Sequence, residues 1–163
     1  MAPFSWSKDA EGEAITYLLS GRVDESSDFE PLLRELKDEV IFDLAGIERI
    51  NSSGVLRWGR FIREVSQRVQ DLRFVRCSPV IVSQLNMIKD FSGKAAIESF
   101  YAPYVCEECG AESTALLDVT KDREQLETRR VPSRRCDECG HDMVLNSLED
   151  SYLGFLDQEP GEA

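Results

Sequence analysis

Apolar positions along the first hundred residues switch between a period of two and a period of three to four. Phe4-Ser5-Trp6-Ser7 alternates apolar and polar side chains, as a half-buried edge strand does, and Asp9-Ala10-Glu11-Gly12 supplies a turn. Ala14 to Ser20 favours a second strand, and Gly21 to Asp24 reads as the turn that ends it. Phe29, Leu32, Leu33 and Leu36 then fall on one helix face, with Ser27 and Glu30 spaced as a capping box. Val40 to Leu44 is a buried strand. Beyond it, Val55, Trp58, Ile62, Val65 and Val69 step at helical spacing, while Arg57, Arg60, Arg63 and Arg68 fall on the opposite, wet face.

Asn51-Ser52-Ser53-Gly54 lies between that strand and that helix, with serines where an N-cap belongs. Leu72 to Cys77 predicts another strand, and Ser78-Pro79 opens a helix expected from Val80 to Phe91 and stopped by Gly93. Ala96 to Tyr101 is the expected last strand, closed by Pro103. Strands alternating with helices imply an α/β layer, a mixed sheet packed with helices.

From Tyr104 the rhythm changes. Cys106-Glu107-Glu108-Cys109-Gly110 and Cys136-Asp137-Glu138-Cys139-Gly140 are two Cys-x-x-Cys-Gly knuckles, separated by a strand candidate at Thr114 to Val119 and a charged stretch from Lys121 to Arg135. Met143-Val144-Leu145 reads as a returning strand, and Asp157 to Ala163 as a frayed acidic tail. Charge changes with the rhythm. Residues 1–103 carry 16 acidic and 13 basic side chains, residues 104–163 carry 15 and 6, and the whole chain of 163 residues has a net charge of -12. Two modules are expected, 1–103 and 104–163.

Cys106, Cys109, Cys136 and Cys139 supply four thiolates, the set for a closed tetrahedral site, and zinc suits it best. A pair of redox dithiols, apolar burial of the cysteines or an iron–sulfur cluster are the competing readings. This segment resembles a zinc ribbon, with a structural Zn2+ and no open coordination position. His141 could replace a thiolate, but an outer donor to sulfur is its expected role. Cys77, within a strand, is expected to be a buried apolar residue without chemistry.

The unit from Val40 to Val69 resembles the core of the STAS domain, the fold of bacterial anti-anti-sigma factors. The matching pieces are Asp43-Leu44-Ala45-Gly46, as the turn that ends a strand, and Asn51-Ser52-Ser53-Gly54, as the hydroxyl loop. Leu19-Ser20-Gly21-Arg22-Val23-Asp24 precedes them and Cys77-Ser78-Pro79-Val80 follows. The resemblance implies a STAS-like fold and a non-enzymatic regulatory adaptor. Its partner would be a signalling protein, an anti-sigma kinase or similar, bound through Asn51, Ser52, Ser53, Gly54, Arg57 and Arg60. It also implies Ser52 as the phosphorylated hydroxyl. The family has Asp where this chain has Asn51, so a pure capping role for the serines stays open. The arginines equally fit an ordinary solvated face. Two other roles stand beside the first: a constitutive STAS-like subunit of a larger complex, such as a transport complex, or a nucleic-acid-binding regulator using Arg129, Arg130, Arg134 and Arg135.

Several classes are disfavoured by the residues themselves. The acidity speaks against non-specific binding to nucleic acid or anionic membranes. No apolar run reaches the ~20 residues of a membrane span, and the first residues hold no apolar signal core, so a cytoplasmic protein is expected. Hydrophobic residues make up 42% of the chain, enough for a folded core. The one histidine, His141, and the lack of an acid–base constellation or phosphate loop speak against an enzyme.

Overall fold

The apolar strand centred on Phe42 forms the middle of a five-stranded sheet. A computed structural model of the chain describes residues 2–10 and 14–157. In chain order the elements are β1 (Ser5–Asp9), β2 (Ile15–Val23), α1 (Glu30–Glu35), β3 (Glu39–Ile50), α2 (Ser52–Arg68), β4 (Asp71–Val75), α3 (Pro79–Met87) and β5 (Ala96–Ile97). There follow β6 (Ser99–Cys106), β7 (Glu112–Asp118), α4 (Arg123–Glu127), β8 (Arg134–Arg135), β9 (Asp142–Leu145), α5 (Glu149–Tyr152) and a 3-10 turn, Gly154–Asp157. The fold is mixed α/β. The first sheet has the order β1-β2-β3-β4-β5, with β1 antiparallel to β2 and the other neighbours parallel. The second, β7-β6-β9-β8, is antiparallel throughout.

The period-two and helical patterns meet in one core. Tyr17, Leu19, Val40, Phe42, Leu44, Leu72 and Phe74 lie buried under Leu32 and Leu33 of α1 and Trp58, Ile62 and Val65 of α2. Phe61 joins the buried face of α2, while Val55 is only partly covered. The Phe61 ring stacks on Phe29 at 4.5 Å and on Phe42 at 5.6 Å. That aromatic packing fixes α2 across β3.

Four local expectations are corrected. Residues Gly21 to Val23 continue β2 rather than turning the chain. Gly21 has φ +91, and a Cβ there would sit 2.1 Å from the Pro3 carbonyl oxygen, so its role is close backbone approach. Asp43-Leu44-Ala45-Gly46 likewise runs on inside β3, with a register shift opposite Leu18 and Ser20 absorbing the extra residue. Ser27 does not cap α1. Its hydroxyl accepts from the Asp24 N–H at 2.9 Å, and Phe29 occupies the cap position. Helix α3 ends at Met87, short of Phe91, because the next residues fold into a turn that carries Phe91 beneath Trp58. The two rings stack at 5.4 Å, and the indole N–H donates to the Phe91 carbonyl at 2.9 Å.

The expected last strand is two strands. Ala96–Ile97 pairs with β4, the Glu98 N–H donates to the Phe74 carbonyl, and the chain then crosses into the second sheet as β6. Pro103, the expected boundary, lies inside β6, which runs unbroken to Cys106. Helix α5 and the 3-10 turn pack on α3, which itself lies against β3. Asn86 of α3 donates to the Tyr152 carbonyl at 2.9 Å and accepts the Phe155 N–H at 2.7 Å. The Tyr152 hydroxyl donates to the Tyr101 carbonyl at 2.5 Å. The expected turn at Asp9 to Gly12 and the tail to Ala163 lie largely outside the described residues.

Candidate functional site

Two groups of side chains carry recognisable chemistry, one at the start of α2 and one at the far end of β6. At the first, Asn51 rather than a serine is the N-cap. Its backbone is extended, and its Oδ1 accepts the Gly54 N–H at 2.8 Å. Ser52 and Ser53 therefore belong to the first helical turn. Both are exposed, and neither hydroxyl is engaged in a hydrogen bond among the described residues. Gly54 is buried beneath them. A Cβ there would lie 2.1 Å from the Val23 carbonyl oxygen, so only glycine lets the helix start seat on the end of β2.

The amide of Asn51 is engaged at its other end too. Its Nδ2 donates to Glu25 Oε2 at 3.0 Å, and this bond, before any other influence, holds the Glu25 carboxyl below its ordinary value. Glu25 had no signal in the sequence, being 26 residues away in a polar loop. Arg57 and Arg60 are both exposed, but not equally available. The Arg57 guanidinium donates to the Ser27 carbonyl at 3.2 Å and pins the loop before α1.

At the second site the four cysteines converge. Their Sγ atoms all lie within 4.8 Å of one another, with Cys106 and Cys139 at 3.4 Å and Cys109 and Cys136 at 3.6 Å. A tetrahedron with metal–sulfur bonds of ~2.3 Å has edges of about 3.8 Å, so the group fits one metal ion. Two knuckles of the same build supply it. The Gly110 N–H donates to the Cys106 carbonyl at 2.8 Å, and the Gly140 N–H donates to the Cys136 carbonyl at 2.9 Å. Gly110 and Gly140 have φ of 78 and 77, the left-handed conformation that folds each turn back. Cys106 N–H donates to the Ala111 carbonyl and Cys136 N–H to the His141 carbonyl, both at 2.8 Å. Cys106 and Cys136 are buried, whereas Cys109 and Cys139 face solvent.

The electrostatics of the cluster without a cation are asymmetric. The Cys109 N–H leads the donors that lower the Cys106 thiol to about 7. At Cys139 the His141 N–H favours the thiolate, but hydrogen bonding to Cys106, burial and the other thiols outweigh it and push the group up to about 12. Packed thiols cannot all ionise alone, and a divalent cation at the centre reverses that repulsion. His141 stays outside the four-sulfur group, with Nδ1 3.3 Å from Cys139 Sγ, where an outer donor to sulfur would sit.

The remaining candidates are less free than their sequence implies. Arg129 pairs with Asp157, and Arg134 Nε donates to Ser113 Oγ at 3.2 Å, so two of the four arginines around β8 are engaged within the fold. Cys77 is fully buried, and burial raises its thiol far above the usual range. No helix among the described residues is long and apolar enough to cross a membrane. Comparison with protein-family models, with curated proteins and with solved structures gives no match.

Proposed function

We propose that this chain is a non-enzymatic regulatory adaptor, STAS-like in its first hundred residues and zinc-bound at its C-terminal end. It docks a signalling protein through Asn51, Ser52, Ser53, Gly54 and the exposed face of α2. The observation that carries this reading is the division of labour at the start of the helix. Asn51 alone satisfies the cap, so two hydroxyls stand in solvent at the positive end of a 17-residue helix with no structural task. A phosphate on Ser52 would be tolerated there by the helix dipole, and would change the docking face without unfolding it.

Asn51 also favours a second form of the reading, constitutive docking as a subunit of a larger assembly. Asp at that position would face Glu25 without a proton to donate, so this chain is built around an amide where the switchable members of the resembling family hold a carboxylate. The sulfur cluster's dimensions and its two glycine-folded knuckles support structural zinc, with His141 outside the coordination sphere.

Affinity capture from the native cells with wild-type and Ser52→Asp baits, alongside phosphopeptide analysis of the loop, tests both forms. A regulatory partner retained by the wild type and lost by Ser52→Asp, with a phosphorylated loop peptide, is the switch. A partner retained by wild type with no phosphorylated loop under several growth states is the constitutive form. Equal recovery on both baits removes the loop from docking.

A further inference from the structure

Below the serines, one stripe of α2 carries a feature the hydroxyl loop does not explain. Ser52, Leu56, Gly59, Arg60 and Arg63 lie at helical spacing on one face, running from the loop toward the helix middle. Beside them a groove of about 420 Å³ opens between α2 and the turn after α3. Val55, Ile62, Ile88 and Phe91 contribute its apolar surface, and Arg60, Arg63 and Lys89 its charge, against the single acid Asp90. On a chain of net charge -12, this is a local reversal of sign.

Two exposed apolar side chains extend the groove's apolar surface. Leu56 is 68% exposed at the groove's edge, and Met87, next to Ile88, is 70% exposed. Gly59 sits in a helix interior, where glycine weakens the helix relative to alanine. Nothing in the fold requires it, since a Cβ there would meet no atom within 4 Å. Gly54 and Gly93, by contrast, are each held by a close neighbour: Val23 for the first, Ser66 and Ile62 for the second. A glycine with open space above it, in the wall of the groove, leaves room for another chain to approach the helix backbone.

We infer that this groove takes an acidic amphipathic segment of the partner protein, an apolar side chain entering over Gly59 and carboxylates reaching Arg60, Arg63 and Lys89. This rests on the adaptor reading above and names the chemistry of the partner. Charge complementarity selects an acidic peptide over groove-to-groove pairing of two copies, in which two equally basic surfaces would meet. Apolar anchors in a groove supply affinity, and the rim charges supply steering and register.

The experiment titrates the full chain with a labelled amphipathic helix of about 15 residues, Leu on one face and Glu on the other. Its Lys-for-Glu counterpart is the control. The acidic peptide is expected to bind, more weakly at high salt, with amide shifts confined to residues 55–63 and 88–93. Gly59→Trp and the pair Arg60→Glu with Arg63→Glu should each weaken it by about ten-fold or more, while Gly59→Ala keeps the fold and most of the binding. The charge-reversed pair, lying on the surface, serves even if the tryptophan disturbs folding. Equal binding of the Lys peptide, shifts elsewhere, or indifference to both variants overturns the proposal. So does preferential binding to phosphatidylglycerol vesicles, or a dimer dispersed by Gly59→Trp. Peptide binding that persists in Ser52→Asp leaves the groove standing whatever becomes of the loop.

Discussion

Asn51 and Glu25 are joined by a 3.0 Å hydrogen bond in which the amide nitrogen donates, while the same amide's oxygen caps α2 through Gly54. One side chain thus ties the helix start to the loop that follows β2. Asn51→Ala removes both bonds and should cost about 1 kcal/mol, the usual value of a lost cap. Asn51→Asp keeps the cap, since Asp and Asn cap equally well, but sets a carboxylate against Glu25. In the wild type the Glu25 carboxyl is held below its ordinary value, so its contribution is present above the ordinary carboxylate range and fades as pH falls through the lowered value. In Asn51→Asp the shift reverses. The variant's deficit should therefore be largest at neutral pH, shrink toward pH ~4, and vanish when Glu25→Gln is added. Urea unfolding across that range measures it, and a deficit independent of pH would overturn the assignment.

Metal should hold the second sheet together. Around the cysteines few large apolar side chains are buried, chiefly Tyr104, Leu117, Leu126, Met143 and Leu145, because Phe100, at the other end of β6, packs instead on Tyr152 and Phe155. Structural zinc contributes ~10–16 kcal/mol in small finger peptides, comparable to the stability of a whole domain. Purified chain is expected to hold one equivalent of zinc by elemental analysis. Cys106→Ser or Cys136→Ser should lose it, and chelation should abolish amide protection in β7 and β9 while β3 and β4 stay protected. Because the ligands bind as thiolates, loading must weaken as pH falls. A fully protected second sheet in metal-free protein would sink this account.

The helical stripe of α2 and the two cysteine knuckles could be read from the sequence because each is a local periodicity or spacing. What escaped was set by contacts between distant residues. Gly21 looks like a turn, and only the approach of Pro3 shows why it sits in a strand. Pro103 looks like a boundary, yet β6 accommodates it and donates nothing through that position to β7 or β9. Helix α3 continues on paper to Phe91, but the Trp58 indole claims the Phe91 carbonyl and bends the chain into a turn. Propensity sets the cap of α2 on the serines, one residue too late, because Ser and Asn cap about equally well and only the position of Gly54 over Val23 decides between them.

Tyr152 is a further long-range contact with a measurable signature. Its hydroxyl donates to the Tyr101 carbonyl, and burial raises its ionisation well above that of free tyrosine. The neutral phenol is the folded form, so its contribution is complete below the ordinary tyrosine value of ~10 and is lost as pH rises through the raised value. Tyr152→Phe leaves the Tyr101 carbonyl unpaired and should cost about 1–3 kcal/mol at neutral pH. The same variant should lose less stability than wild type on going to alkaline pH. Exchange of the amides at Tyr152 to Phe155, which dock on Asn86, should rise first. If wild type and variant lose stability in parallel above pH ~10, Tyr152 is not the buried titrating group.

Ser52 separates stability from docking. Its position in the first turn of α2 places any negative charge among free N–H groups at the positive end of the helix. No acidic residue occupies that turn in the wild type, and the carboxylate bonded at the helix start, Glu25, reaches Asn51 from the loop after β2. Ser52→Asp should therefore stabilise the fold by roughly 0.3–1 kcal/mol at low salt, less as salt is raised. Ser53→Asp, one residue further in, should behave alike in stability. The two differ in what they present: Ser52 lies on the stripe that continues through Leu56 to Gly59, and Ser53 lies on the stripe of Arg57, which is tied to Ser27. If Ser52 faces the partner, only Ser52→Asp weakens docking while both variants raise the urea midpoint. Loss of docking in both variants alike would place the contact on the helix end as a whole. Loss of stability in Ser52→Asp would show that the hydroxyl has a structural task after all.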